Sequence, residues 1–266
     1  DGTFKWATTA ADGATIATNG SANSTTGINN IEISGSGITV TPNEWDLSIY
    51  GNLTITLGEV DTRGPYGGGT DFALTVGSWI SGSGTFEGNA STVTCGNGVT
   101  CHAFNMGAGI INTGNDFRPN TATFDGNATI NCDAQIGGRI ISTGHSPTIN
   151  AGRIYSSLDM QSGDQGTSTF NLDLTEDQLT GGSSNALFFY NLELDSQGTE
   201  NNTYTMQAAI TCTNNLTITD GEIDTGADLA LTVGGGTSIP DDGTLTCNDS
   251  AISLGSGVKA GVPFGL

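Results

Sequence analysis

Asn52-Leu53-Thr54-Ile55-Thr56-Leu57-Gly58-Glu59-Val60-Asp61-Thr62 returns about 160 residues later as Asn215-Leu216-Thr217-Ile218-Thr219-Asp220-Gly221-Glu222-Ile223-Asp224-Thr225. Only Leu57/Asp220 and Val60/Ile223 differ. Both copies read as two short strands around a turn at Gly58 or Gly221. A two-residue period puts Leu53, Ile55 and Val60, or Leu216, Ile218 and Ile223, on one side.

The duplication spreads outward from this stretch. Leu74-Thr75-Val76 answers Leu231-Thr232-Val233, and Gly84-Thr85-Phe86 with Asn89-x-Ser91-x-Val93 answers Gly243-Thr244-Leu245 with Asn248-x-Ser250-x-Ile252. Upstream, Asn30-Ile31-Glu32-Ile33 answers Asn191-Leu192-Glu193-Leu194. The spacing drifts because loops differ, chiefly residues 63–71 with Gly67, Gly68 and Gly69. A superrepeat therefore covers residues 30–190 and restarts as a partial copy over 191–266, after an N-terminal cap or connection over 1–29. A shorter echo lies inside the first copy, where the stretch from Thr85 to Ser91 recurs from Thr123 to Thr129.

Within the second copy the steps from Leu216 to Ile239, Ile223 to Leu245 and Leu231 to Ile252 are each about 22 residues. A return of every third strand at that interval predicts an all-β fold, a right-handed parallel β-helix. It would be one elongated three-sided solenoid over 30–266 that stacks coils about 4.8 Å apart. An antiparallel β-sandwich is the alternative, because closely spaced strands with regular turn signals also suit it. Residues 101–120 and 156–184 fall outside the repeat. The second of these carries Asp159, Asp164, Asp173, Glu176 and Asp177, and a helical turn is expected over 174–179. Insertions in a solenoid often carry the binding surface, so a specific site is expected there first.

Composition agrees with many short strands and tight turns: 41 of 266 residues are glycine and the hydrophobic share is 35%. Six Lys+Arg against 27 Asp+Glu give a net charge of −21, which repels nucleic-acid phosphates and anionic lipid headgroups and attracts cations. Charged residues are only 12% of the chain, so the surface is mainly uncharged polar. The longest apolar run, 186–190, is far short of the roughly 18 residues of a membrane helix. The chain opens on Asp1 without a signal-peptide pattern, and a processed or truncated end is expected.

The paired carboxylates Glu59 and Asp61, repeated as Glu222 and Asp224, have the two-acid character of a glycosidase site. A catalytic pair is needed once, however, whereas a solvated position on a rung is reused in every copy, so these are expected to be structural. Calcium is the one ion that oxygen-rich loops suit, but neither an EF-hand loop nor a Gly-Gly-x-Gly-x-Asp nonapeptide is present. The five cysteines, Cys95, Cys101, Cys132, Cys212 and Cys247, form no Cys-x-x-Cys pair and read as buried thiols or one stacked disulfide. Cys95 and Cys132 follow the two echoes of one motif and are expected at stacked positions. His102 and His145 lack any partner motif. Asn-x-Ser/Thr triplets at Asn52, Asn89, Asn127, Asn201, Asn215 and Asn248 read as stacked polar ladders. Trp45, Tyr66 and Trp79 read as coil plugs or sugar-stacking rings.

The key stretch followed by Leu-Thr-Val-x-Gly resembles the Gly/Thr/Asn-rich β-solenoid repeats of phage virion proteins (fibres, decoration proteins, tailspikes) and of bacterial surface adhesins. The resemblance implies extracellular structural or adhesive work at a virion or cell surface; because the repeat is duplicated and no unique polar constellation stands out, no enzymatic activity is expected. Because the last stretch, residues 258–264, lacks a clear polar cap, self-association or a larger assembly is expected, with cell-surface glycans as further candidate partners; the charge and the short apolar runs leave neither nucleic acid nor membrane among them. No catalytic or cofactor-binding residue is expected, and no metal ligand beyond the calcium option. A tailspike-like glycan depolymerase is the enzymatic alternative, and it requires carboxylates gathered in one place.

Overall fold

A computed structural model describes residues 3–6, 28–42, 46–63, 71–155, 158–173, 178–179, 186–196, 202–226, 228–240, 242–255, 257 and 259–260. Among the described residues the regular structure is all strand, in parallel sheets stacked as a β-solenoid of about 9 turns at about 21-residue spacing. It divides into two compact units, Asp1–Asp133 and Ala134–Leu266.

The first unit begins with β1 (Thr3–Trp6), β2 (Asn30–Ile33), β3 (Thr39–Val40) and β4 (Leu47–Ile49). The next coil is β5 (Leu53–Ile55), β6 (Glu59–Asp61) and β7 (Leu74–Val76). Then come β8 (Trp79–Glu87), β9 (Thr92–Cys95), β10 (Gly98–Met106), β11 (Ile110–Thr113), β12 (Thr121–Phe124) and β13 (Thr129–Ile136). Each strand pairs in parallel with one from the next coil, as in Leu47↔Leu74, Leu74↔Val93, Thr92↔Ile110 and Ile110↔Thr129. The nine-residue β8 serves two faces at once: its start pairs with β5 and its end with β6.

The second unit contains β14 (Arg139–Ile141), β15 (Thr148–Ile154), β16 (Thr169–Asp173), β17 (Gln178–Leu179) and β18 (Leu187–Phe189). Three full sets of three follow: β19 (Asn191–Asp195), β20 (Thr203–Thr205) and β21 (Ile210–Cys212); β22 (Leu216–Ile218), β23 (Gly221–Asp224) and β24 (Leu231–Val233); β25 (Thr237–Ile239), β26 (Gly243–Thr246) and β27 (Ile252–Leu254). β28 (Lys259–Ala260) closes the series on β25. Every third strand pairs, β19 with β22, β20 with β23 and β21 with β24, which is the three-sided arrangement the spacing predicts.

The duplicated stretch folds as read. Leu53, Ile55, Val60, Leu216, Ile218 and Ile223 are all buried. Gly58 and Gly221 both turn at φ +87, and a Cβ at Gly58 would meet the Ile38 and Gly35 carbonyl oxygens at 2.6 and 2.8 Å, so only glycine fits there.

Three expectations change. Residues 101–120 are ordinary solenoid, not an insertion: Cys101, Phe104, Met106, Ile111 and Phe117 are buried. Phe104 stacks on Phe86 at 4.9 Å and meets Phe117 edge-on at 5.2 Å. The repeat was invisible there because the coil is shorter, the ladder bond from Asn105 to Glu87 spanning 18 residues where that from Asn171 to Asn150 spans 21. Gln178 and Leu179 form a strand, not the end of a helical turn, because they pair with Tyr204 and Thr205; residues 174–177 lie outside the described residues. Finally, the neighbour of Leu216 on the next coil is Thr237, not Ile239, and Thr237 is 1% exposed in an aliphatic column.

Candidate functional site

Both copies of the duplicated stretch close their corner in the same way. Asp61 Oδ1 accepts the Arg63 NH at 2.8 Å and the Asn89 side-chain amide at 2.7 Å. Asp224 Oδ1 accepts the Gly226 NH at 2.8 Å and the Asn248 amide at 2.5 Å. Asn89 and Asn248 are both left-handed, at φ 48 and 43, a conformation asparagine tolerates better than most residues. Beside them Thr62 Oγ1 donates to the Gly88 carbonyl and Thr225 Oγ1 to the Cys247 carbonyl, each at 2.8 Å. The Asp-Thr and Asn-x-Ser signatures are therefore one device: side chains from one coil satisfy the backbone of the next where the ladder turns.

The copies differ on the rung beside that aspartate. Asp224 stands opposite Thr246, whereas Asp61 stands opposite Glu87. Glu222 is bonded on both sides, by Thr203 Oγ1 at 3.1 Å and Thr246 Oγ1 at 2.5 Å. In the first copy Glu59, Asp61 and Glu87 instead gather on one outward face of β6 and β8. Burial and the charges of Glu87 and Asp61 hold the Glu59 carboxyl above its ordinary pKa. Glu87 is raised as well, mainly by burial and then by Asp61 and Asp125, although its 2.5 Å bond from Asn105 and the charge of Arg63 pull it down. Arg63 donates to Asn89 Oδ1 at 2.7 Å and lies 3.8 Å from Asp71, so the base of the 63–71 loop adjoins this acidic face. Glu87 carried no separate signal in the sequence, because nothing there shows that it lies beside Asp61.

The other candidates are dispersed. The carboxylates of the four duplicated positions are half-buried and not fully exposed, because neighbouring rungs pack against them. Asp164 pairs with Arg139 at 3.0 Å, and Asp173 stands beside Asp195, whose carboxyl burial and the charges of Asp173 and Asp220 raise. Cys101 points inward and its neighbour His102 outward near Asn120, so the two share no site. His145 sits in a turn, its carbonyl accepting from Thr167. Asn52 and Asn215 accept backbone NH groups of the next coil through Oδ1, and the edge of Trp79 lies over Gly98 as a packing group. Trp45, Tyr66, Glu176, Asp177 and Asn201 lie outside the described residues.

All five cysteines are free. Burial pushes the Cys101 and Cys212 thiols up to about 12, which keeps them protonated and unreactive. Among the described residues no group of three or more His, Cys, Asp or Glu side chains is placed to hold a metal ion. Comparison of the chain with protein-family models, curated proteins and solved structures gave no match.

Proposed function

We propose that the chain is a non-enzymatic structural protein of an extracellular assembly, a virion fibre or capsid decoration element that works against copies of itself. One observation carries this reading. Asp61 and Asp224 hold the same backbone NH and the same left-handed asparagine, so the duplicated acids serve to close corners, a task that each copy repeats and a reaction does not. An interior filled rung by rung under a mostly uncharged polar surface suits an element whose work is to present length and surface. Sedimentation of the isolated chain with and without salt and calcium tests the reading. Association that grows as ions screen the charge is the expected result, and a monomer under every condition removes the assembly half of the proposal.

A second reading, cleavage of a surface glycan, is favoured by Glu87. Glycosidases set two carboxyl groups about 5 to 9 Å apart and keep one protonated. Asp61 and Glu87 occupy neighbouring rungs, and Glu87 is held above the usual carboxylate range. Saccharide release that is lost in Glu87→Gln but kept in Glu222→Gln would replace the structural reading with this one.

A further inference from the structure

We propose that the corner of the first unit carrying Tyr50 and Trp79 binds a neutral glycan, with a sugar ring stacked on the aromatic side chains and its hydroxyls held by the polar groups around them. The proposal goes beyond the structural reading and does not depend on it. Tyr50 directly follows β4, and Trp79 opens β8 on the next coil. The two coils pack backbone to backbone here: the Gly77 NH donates to the Ile49 carbonyl at 2.7 Å and the Ser78 NH to the Gly51 carbonyl at 3.0 Å. A Cβ on Gly77 would strike the Tyr50 carbonyl, so Tyr50 stands one rung from Gly77 and two residues along from Trp79. Tyr50 is 58% exposed, the most exposed large hydrophobic side chain among the described residues, and Trp79 is half-buried.

The internal repeat shows that the fold has no need of these rings. Tyr50 and Trp79 align with Thr213 and Gly236 of the second copy, and the corner there closes with the same bonds. The Trp79 NH donates to Asn52 Oδ1 at 3.2 Å, and the Gly236 NH to Asn215 Oδ1 at 2.9 Å. The bonds from Gly77 and Ser78 are matched by Gly234 NH to the Cys212 carbonyl at 2.9 Å and Gly235 NH to the Asn214 carbonyl at 2.7 Å. A threonine and a glycine are thus enough to complete this corner. Two aromatic side chains added to it expose apolar surface that the ladder does not use, and a recognition surface does.

The groups around the rings suit hydroxyls. Asn52 is exposed, and with its Oδ1 taken by the Trp79 NH its Nδ2 remains to donate outward. Ser81 adds a hydroxyl two residues along the outward face of β8. On the far side the Trp79 ring reaches over Gly98, where a Cβ would come 2.7 Å from Cζ3, so the glycine leaves the ring room to lie along the sheet. Beside Gly98 stands Asp116, paired with Arg118 at 2.6 Å, which sets an acceptor next to a donor. A sugar ring has an apolar C–H face and a rim of hydroxyls that both donate and accept, and this corner offers the complement of each. Net charge of −21 repels acidic sugars, so the ligand is neutral. A shallow corner holds one sugar weakly, with Kd on the order of millimolar, and copies in an assembly strengthen the hold by avidity.

The test is binding of the intact chain to a printed panel of neutral and acidic glycans, followed by affinity electrophoresis in gels cast with soluble β-glucan, galactomannan or dextran. Binding to neutral members is expected, with a loss of tenfold or more in Tyr50→Thr and in Trp79→Gly, each of which writes the second copy's residue into the first. Both variants are expected to keep the wild-type circular dichroism, because Thr213 and Gly236 already serve the matching corner. Thr213→Ala alters that matching corner and leaves binding unchanged. Binding to no neutral glycan overturns the proposal, and so does a preference for acidic glycans, binding that both aromatic variants keep, or an equal loss in Thr213→Ala. Sedimentation of the same samples separates this proposal from the structural reading. A chain that self-associates but binds no glycan overturns the glycan site alone, and a chain that binds glycan as a monomer under every condition removes only the assembly half of the structural reading. Self-association lost in Trp79→Gly, with no glycan bound, makes the corner a contact between copies and overturns the proposal.

Discussion

Cys95 and Cys132 occupy one inward column, with Thr113 seated between them on the intervening coil. Two rungs of about 4.8 Å separate their Cα atoms by roughly 10 Å, beyond the about 7 Å limit for a disulfide. Each thiol instead donates to a corner carbonyl, Cys95 to Ser78 at 2.9 Å and Cys132 to Asn115 at 3.0 Å. Mass spectrometry without reduction is expected to find no Cys95–Cys132 bond. Thr113→Cys, one rung from either partner, is expected to yield one disulfide under oxidising conditions. A Cys95–Cys132 bond in the wild type would show that the register is wrong.

Thr113 and Tyr204 each bury a hydroxyl that has no hydrogen-bond partner. Leaving such a group unsatisfied costs about 1–3 kcal/mol. Thr113→Val and Tyr204→Phe are therefore expected to raise stability, each by about 1 kcal/mol, read as a higher Tm. A fall in Tm for both would mean that buried water serves these hydroxyls.

Ile223 lies between Tyr204 and Leu245 in the interior, while Glu222 beside it faces outward. Ile223→Asp places an unpaired charge among apolar side chains and is expected to cost several kcal/mol. Glu222→Gln retains an acceptor for one threonine hydroxyl and is expected to cost about 1 kcal/mol or less. Urea midpoints of the two variants check this, and equal losses would mean that the strand faces are reversed.

Glu59, Glu87 and Asp195 are all held above their ordinary pKa values, chiefly by burial and then by neighbouring carboxylates. A carboxyl whose folded pKa exceeds its unfolded one binds protons more readily when folded. Its contribution is fully present below the unfolded pKa, near 4, and is lost as pH rises through the raised value. The urea midpoint is therefore expected to increase between pH 7 and about pH 4.5. Glu87→Gln is expected to raise the neutral-pH midpoint and flatten the dependence. A midpoint that falls steadily on acidification across this window would contradict the sign.

The solenoid was legible where aliphatic residues alternate around a glycine turn, because both signals are local: Leu53, Ile55 and Val60 about Gly58, and their repeats about Gly221. Threonine hid the next level. Thr113 and Thr237 sit in interior columns that the pattern assigns to aliphatics, a substitution that shape permits and polarity disguises. The acidic face was hidden by a different cause. Asp61 and Glu87 become neighbours only if the coil length is known, and the 63–71 loop stretches that coil, so the corner bond from Asn89 to Asp61 spans 28 residues. Periodicity read in the second copy, where coils are regular, could not supply that number. The corner role of Asn89 and Asn248 was visible only as a repeated Asn-x-Ser signature, since its partner aspartate lies a whole coil away.

Because each such corner is completed from one coil away, the gene can be edited in whole coils. An in-frame duplication of about 21 codons would add one coil and lengthen the stack by about 4.8 Å, with each corner's aspartate and asparagine, 24 or 28 residues apart, supplied by successive coils. Length in this molecule is thus a quantity recombination can set in discrete steps, like the notches of a ruler. Surface chemistry then diverges afterwards, rung by rung, as Glu87 and Thr246 already have.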